Sequence, residues 1–274
     1  MLRKLIKHEF RATARIMLPL IMLALVTAVG GNISVKYLLE TESSALNIIG
    51  IILLTAFVVA MAAVCIMAVV VMVQRFYKNL LQDEGYITLT LPVSVHQHIW
   101  SKLVVSFVWF TITFIVVVLA VFILVYDMGM MHKFLAGFEG LGGELSKLAQ
   151  SKDFVHVILI AIELLIMIVS GAVFSCMQFY ASLALGHSFA KSKMLFSVLL
   201  FFGINFIMQL INGSVAAVAG NTGLSDRLFD RFFNLQGMAG VHPVLIAFIL
   251  YNALFGTVLY FASAHCLKNR LNLE

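Results

Sequence analysis

The chain has 274 residues, of which 62% are hydrophobic and 11% charged, with a formal net charge of +5. Soluble domains average about 45–50% apolar and about 25% charged residues, so water is the wrong solvent for most of this chain and an ordinary soluble enzyme or nucleic-acid-binding protein is excluded. Disorder is excluded too, by the apolar content and by only 3 prolines.

Residues 1–15 come first. Leu2, Leu5, Ile6 and Phe10 recur at helical spacing, while Arg3, Lys4, Lys7 and Arg11 occupy other faces. The segment reads either as an amphipathic helix on the inner leaflet or as a plain basic flank that fixes orientation. A membrane helix needs about 20 mostly apolar residues. Runs of that length predict six spans, at 16–35, 48–73, 103–126, 156–182, 194–217 and 243–264. The runs are continuously apolar and do not alternate, which is the pattern of helices and not of barrel strands. Residues 1–31 also have the layout of a signal peptide, basic then apolar then small (Ala28 to Gly31), but the apolar stretch is long for one and its loss would leave five spans.

Charge placement predicts the topology. Of the 18 basic residues, twelve fall in the N-terminus, the second and fourth connections and the tail. The other connections hold six basic residues against eight acidic ones. Basic residues accumulate on the cytoplasmic side, so both termini are expected there, as an even span count requires. The expected fold is an all-α polytopic membrane protein with six transmembrane helices and an N-terminal interfacial amphipathic helix, residues 1–274 forming one transmembrane domain. Cys65, Cys176 and Cys266 lie in or at the ends of apolar runs and are expected to be free thiols.

The second connection, residues 75–102, is longer than a minimal turn. It carries Arg75, Lys78, Leu80 and Leu81, then the acidic pair Asp83-Glu84, a break at Gly85, and Pro92 followed by Ser94 as a stop and a new helix start. A short structured cytoplasmic element of this kind suits docking to a soluble partner; the plainer alternative is packing on its own spans. The run Glu84-Gly85-x-x-Thr88-x-x-Leu91-Pro92-Val93-Ser94, with Ile99 and Lys102 leading into the third span, resembles the connection between the second and third spans of type-2 ATP-binding-cassette permeases. The string from Arg75 to Gly85 is similar to small permeases of this kind from Gram-positive bacteria. One departure is Tyr86, where the family usually has Thr.

The resemblance implies a coupling helix that docks on an ATPase subunit, placed around Lys78, Leu81, Asp83, Glu84, Gly85 and Pro92. It implies two partners besides the lipid bilayer, a cytoplasmic ATP-binding subunit and a second permease copy or paralogue, and it implies a multi-pass location in a bacterial plasma membrane. The cargo would be amphipathic, peptidic or lipid-like, such as an antimicrobial peptide or drug. No phosphate-binding G-x-x-x-x-G-K-[ST] loop occurs, so ATP and Mg are expected in the partner chain, and this chain is expected to be a permease and not an enzyme.

Other chemistry is sparse. His96 and His98 are two apart and point away from each other on a helix, which disfavours a metal site. Glu163 is the one ionisable carboxylate inside a predicted span; it reads either as a structural group or as part of a substrate or proton path. Asn205, Gln209 and Asn212 share a helical face in the fifth span and would either join helices or line a polar cavity. Residues 127–153 and 220–242 are the two longer outer segments. The second has the pattern of an interfacial amphipathic helix, and the family resemblance puts a re-entrant external element there. Two rival functions remain open. A secondary transporter would show several midplane charges and internal repeats. A non-transporting sensor or assembly subunit would share the topology but lack a working docking element.

Overall fold

In the computed structural model the described residues are 2–39, 41, 43–82, 85, 93–126, 154–189, 192–223 and 241–269. They form six long helices: α1 (Leu2–Ile33), continued by a π-helical turn (Ser34–Leu38), α2 (Ser44–Leu81), α3 (Val95–Val125), α4 (Phe154–Gly186), α5 (Lys193–Asn221) and α6 (Val241–Asn269). Each is long and apolar enough to cross a membrane, and no strand occurs among the described residues. The chain is an all-α polytopic membrane protein. In hydrocarbon every backbone polar group must be satisfied within its own segment, and uninterrupted helices do that.

One boundary differs from expectation. The interfacial helix and the first span are a single helix, with no break near residue 15. Nothing in Ala12-Thr13-Ala14-Arg15-Ile16 stops a helix, and Pro19, which cannot donate to the Arg15 carbonyl, lies inside it. The N-terminal part is amphipathic as predicted: Arg3, Lys4, Lys7, Arg11 and Arg15 are exposed, whereas Leu2, Leu5 and Ile6 are half-buried. The helices also overrun the predicted spans. At 38 residues, α2 is about 57 Å long against a hydrocarbon core of about 30 Å, so its basic last turns extend beyond the apolar layer.

The chain divides into two compact units. The first comprises residues 1–75 and 97–143, the second 76–96 and 144–274. In the first, Met17, Ile21 and Ala24 of α1 pack with Val64, Ala68 and Val71 of α2 and with Val105, Trp109 and Val116 of α3. Steps of three, four or seven residues on the three helices keep these side chains on one face of each and make a continuous seam. At the far end, the Asn32 amide donates to the Leu124 and Tyr126 carbonyls, both at 2.9 Å, and the Ser34 hydroxyl to the Gly50 carbonyl at 2.6 Å.

In the second unit α4 and α6 run in the same direction. The pairs His156–His242, Ser170–Asn252 and Phe174–Gly256 join them, with the residue number rising along both helices. The seam residues His156, Ile160, Glu163, Met167 and Ser170 recur every three or four positions, as do His242, Leu245, Ile249, Asn252 and Gly256. α4 and α5 form an antiparallel hairpin, with Phe179 stacked on Phe201 and Phe189 on Phe196. Its closeness depends on Gly186: a Cβ there would lie 2.5 Å from the Ser197 backbone N and Cα.

Candidate functional site

Both ends of the second connection are built into ionic or aromatic contacts. On α1, the stripe Leu2, Leu5, Ile6 continues onto Glu9 and Thr13, so a carboxylate sits on the buried face of the N-terminal helix. Glu9 Oε2 accepts from Arg75 Nε of α2 at 3.1 Å, and Glu9 Oε1 from Lys102 Nζ of α3 at 2.8 Å. The Lys102 side chain is only 3% exposed, so its charge depends on this partner. One turn further along α1, the Thr13 hydroxyl accepts from Trp109 Nε1 at 2.6 Å and donates to the Glu9 carbonyl at 3.0 Å. Phe10 stacks on the same indole at 5.1 Å. A cavity of about 10 Å³ beside Glu9, Arg75, Lys102 and Ser106 is about what one water needs. His98, one turn before Lys102, is buried, and its Nε2 has no hydrogen-bond partner.

The stretch just inside the connection belongs to the second unit. Phe76 stacks on Tyr180 of α4 at 4.1 Å, and Tyr77 meets His187 edge-on at 5.2 Å. His187 Nδ1 is 3.0 Å from the Leu183 carbonyl. Burial holds its pKa below the ordinary imidazole value; the hydrogen bond to the Leu183 carbonyl opposes this in part, and the positive charge of Lys193 adds a smaller push downward. At the start of α3, His96 Nδ1 lies 2.6 Å from Tyr260 Oη of α6. His96 and His98 thus serve separate surroundings, as their spacing predicted.

Of the predicted docking residues, Lys78 is exposed and Leu81 is buried. Leu81 therefore holds the end of α2 against its own chain and does not face outward. Gly85 is buried; its N–H donates to the Gln82 carbonyl at 2.7 Å, and a Cβ would lie 2.7 Å from the Leu80 carbonyl oxygen. Real Cβ atoms do not come that close, so the fold demands glycine at the break. Asp83, Glu84 and Pro92 lie outside the described residues, as do the outer segments 127–153 and 224–240.

The predicted pathway residues are not brought together. Asn205 donates to the Phe201 carbonyl of its own helix at 2.8 Å, and Gln209 is exposed. Glu163 instead faces α6, where His242 Nδ1 lies 2.8 Å from Glu163 Oε2 and His242 Nε2 lies 3.0 Å from His156 Nδ1. Among the described residues no group of three His, Cys, Asp or Glu side chains converges on a metal position. Glu163, His242 and His156 form a line and not a cage, because the middle histidine uses both ring nitrogens within the line.

Sequence reasoning missed Glu9, His156 and His242. Glu9 had a local signal, since it lies four residues after Leu5 and three after Ile6, on the apolar stripe. The histidines had none, because their partner is on a helix about 80 positions away. The chain matches no protein-family model, no curated protein and no solved structure.

Proposed function

We propose that this chain is the membrane-spanning subunit of an ATP-binding-cassette exporter, working with a separate ATPase and with a second permease copy or paralogue. Six spans would make half of such a transporter. The resemblance of residues 75–102 to a coupling connection suggests the reading. The observation that supports it most is the Glu9 cluster, in which one carboxylate of α1 grips the last turns of α2 and the first turns of α3 where the chain enters and leaves that connection. A push from an ATPase on the connection would reach α1, α2 and α3 at once through Arg75, Lys102 and Glu9, and so bias alternative packings of the spans. The buried Leu80 and Leu81 and the glycine-dependent break at Gly85 would give the push a stiff element to act on. The cargo is amphipathic, peptidic or lipid-like, and the membrane is a bacterial plasma membrane.

Glu84→Lys tests this more narrowly than deleting 80–86, which would remove the buried Leu80 and Leu81. Tagged chain purified from its native membrane should bring down a phosphate-loop ATPase and hydrolyse ATP. Glu84→Lys should lose both while inserting normally. Full recovery of the ATPase with the variant, or cargo transport by the purified chain in vesicles without ATP, would overturn the reading.

A further inference from the structure

The line Glu163–His242–His156 has a property that the proposed transport cycle does not use. We infer that it is a proton-binding latch: it holds the starts of α4 and α6 together while the two imidazoles carry no more than one shared extra proton, and lets them part when both are charged. The inference is independent of what drives transport.

The hydrogen-bond directions carry the argument. With Glu163 ionised, His242 Nδ1–H donates to Glu163 Oε2 over 2.8 Å. His242 Nε2 and His156 Nδ1 then face each other at 3.0 Å, and one proton between them completes the bond. It can sit on either nitrogen. If it sits on His156, both rings are neutral and His242 accepts. If instead His156 carries its own proton on Nε2, the pair holds one more proton, and His242 is an imidazolium that donates to both neighbours with its charge balanced by the carboxylate. Both states satisfy the same geometry. A second proton on the pair does not: two N–H groups would point at each other, and two cations would stand with ring centres 5.3 Å apart against one carboxylate. The bond must then break.

The site is placed for such a role. The Glu163 and His242 side chains are 17% and 15% exposed, sheltered enough for charge to matter and open enough for protons to arrive. His156 and His242 are the third residue of α4 and the second of α6, at the end of the helices away from Lys193 and Lys268. In a membrane, apolar packing supplies little preference for one helix pairing over another, so polar contacts across a seam weigh more. The next polar contact along the seam, Asn252 to Ser170, is a long 3.4 Å. Among the described residues the other ionisable groups on the packed elements lie elsewhere. Tyr251 of α6 sits about two and a half turns away against Phe174. Cys176 and Tyr180 lie further along α4, and Tyr260, His265, Cys266 and Lys268 towards the far end of α6. Lys193 of α5 is at the opposite end of the hairpin.

The test places spin labels at Val155→Cys and Val241→Cys, both exposed, in a full-length chain with its three native cysteines replaced and reconstituted in lipid nanodiscs. Dipolar broadening is read from pH 8 to pH 5, the range in which imidazoles titrate. The labels should be close at pH 8 and should separate in one reversible transition on acidification. His156→Phe should remove the transition. Glu163→Gln, which removes the balancing anion, should change the pH at which it occurs. Spacing that is unchanged with pH, or a transition indifferent to both substitutions, would overturn the latch. A transition abolished by a chelator and restored by zinc would also overturn it, in favour of a metal centre.

Discussion

Two carboxylates hold helices together in this protein, and their partners make them opposites. Glu9 in the first unit is gripped by Arg75, whose guanidinium stays charged at any physiological pH, and by the buried Lys102. Glu163 in the second unit is bonded to a histidine that is itself bonded to a histidine, and imidazoles gain and lose protons in that range. The first arrangement holds two cations on one carboxylate and acts as a fixed joint. The second can change its charge and still keep its bonds. An ion cluster ties helices rigidly or conditionally according to which cation it contains.

The largest effect that would break this contrast is expected at the fixed joint. Glu9→Gln strands the buried Lys102 charge, and removing one member of a buried ion cluster costs about 3–5 kcal/mol. Thermal unfolding in detergent should show a steep drop, and adding Lys102→Met should recover much of it. If Glu9→Gln is neutral, the cluster is not a joint.

Next comes the hairpin frame of the second unit. Gly186→Ala forces a Cβ against the Ser197 backbone and should cost about 1–3 kcal/mol, the usual range for overpacking. Gly203→Ala, where a Cβ meets nothing within 4 Å, serves as the silent control in the same assay.

A smaller effect sharpens the comparison directly. Glu163→Gln keeps an acceptor for His242, so the loss at pH 8 should be about 1 kcal/mol, that of one weakened hydrogen bond. The prediction is therefore an inequality, with the Glu9 variant losing several times more stability than the Glu163 variant. Equal losses would erase the distinction between a permanent and a titratable joint.

The smallest effect concerns His187, whose folded-state pKa is depressed by burial and by Lys193. Its contribution to stability is complete above the ordinary imidazole value of about 6.5. It falls away as pH drops through the lowered folded value, since the unfolded state binds the proton more readily. A His187→Phe chain should lose less stability than the parent between pH 7 and pH 5. An identical fall in both would assign the pH dependence elsewhere.

Six spans were legible in the sequence because spanning is a local property. A helix in hydrocarbon satisfies its own backbone, so the length of an apolar run decides whether it crosses, whatever its neighbours do. The amphipathic face of residues 2–15 was legible for the same reason, although Phe10, expected on its apolar side, is exposed. What only the tertiary structure decided is which polar group meets which. Glu9 lies 66 and 93 positions from its two cations, and Glu163 lies 79 from His242. No spacing rule spans such distances, because the packing of α1 with α2 and α3, and of α4 with α6, brings those groups within 3 Å or so. Asn205 and Gln209 show the converse: their shared face was readable, yet the fold leaves Asn205 bonded to its own helix and Glu163 facing α6. Composition thus settled the solvent and the span count, and helix pairing settled where the few buried charges act.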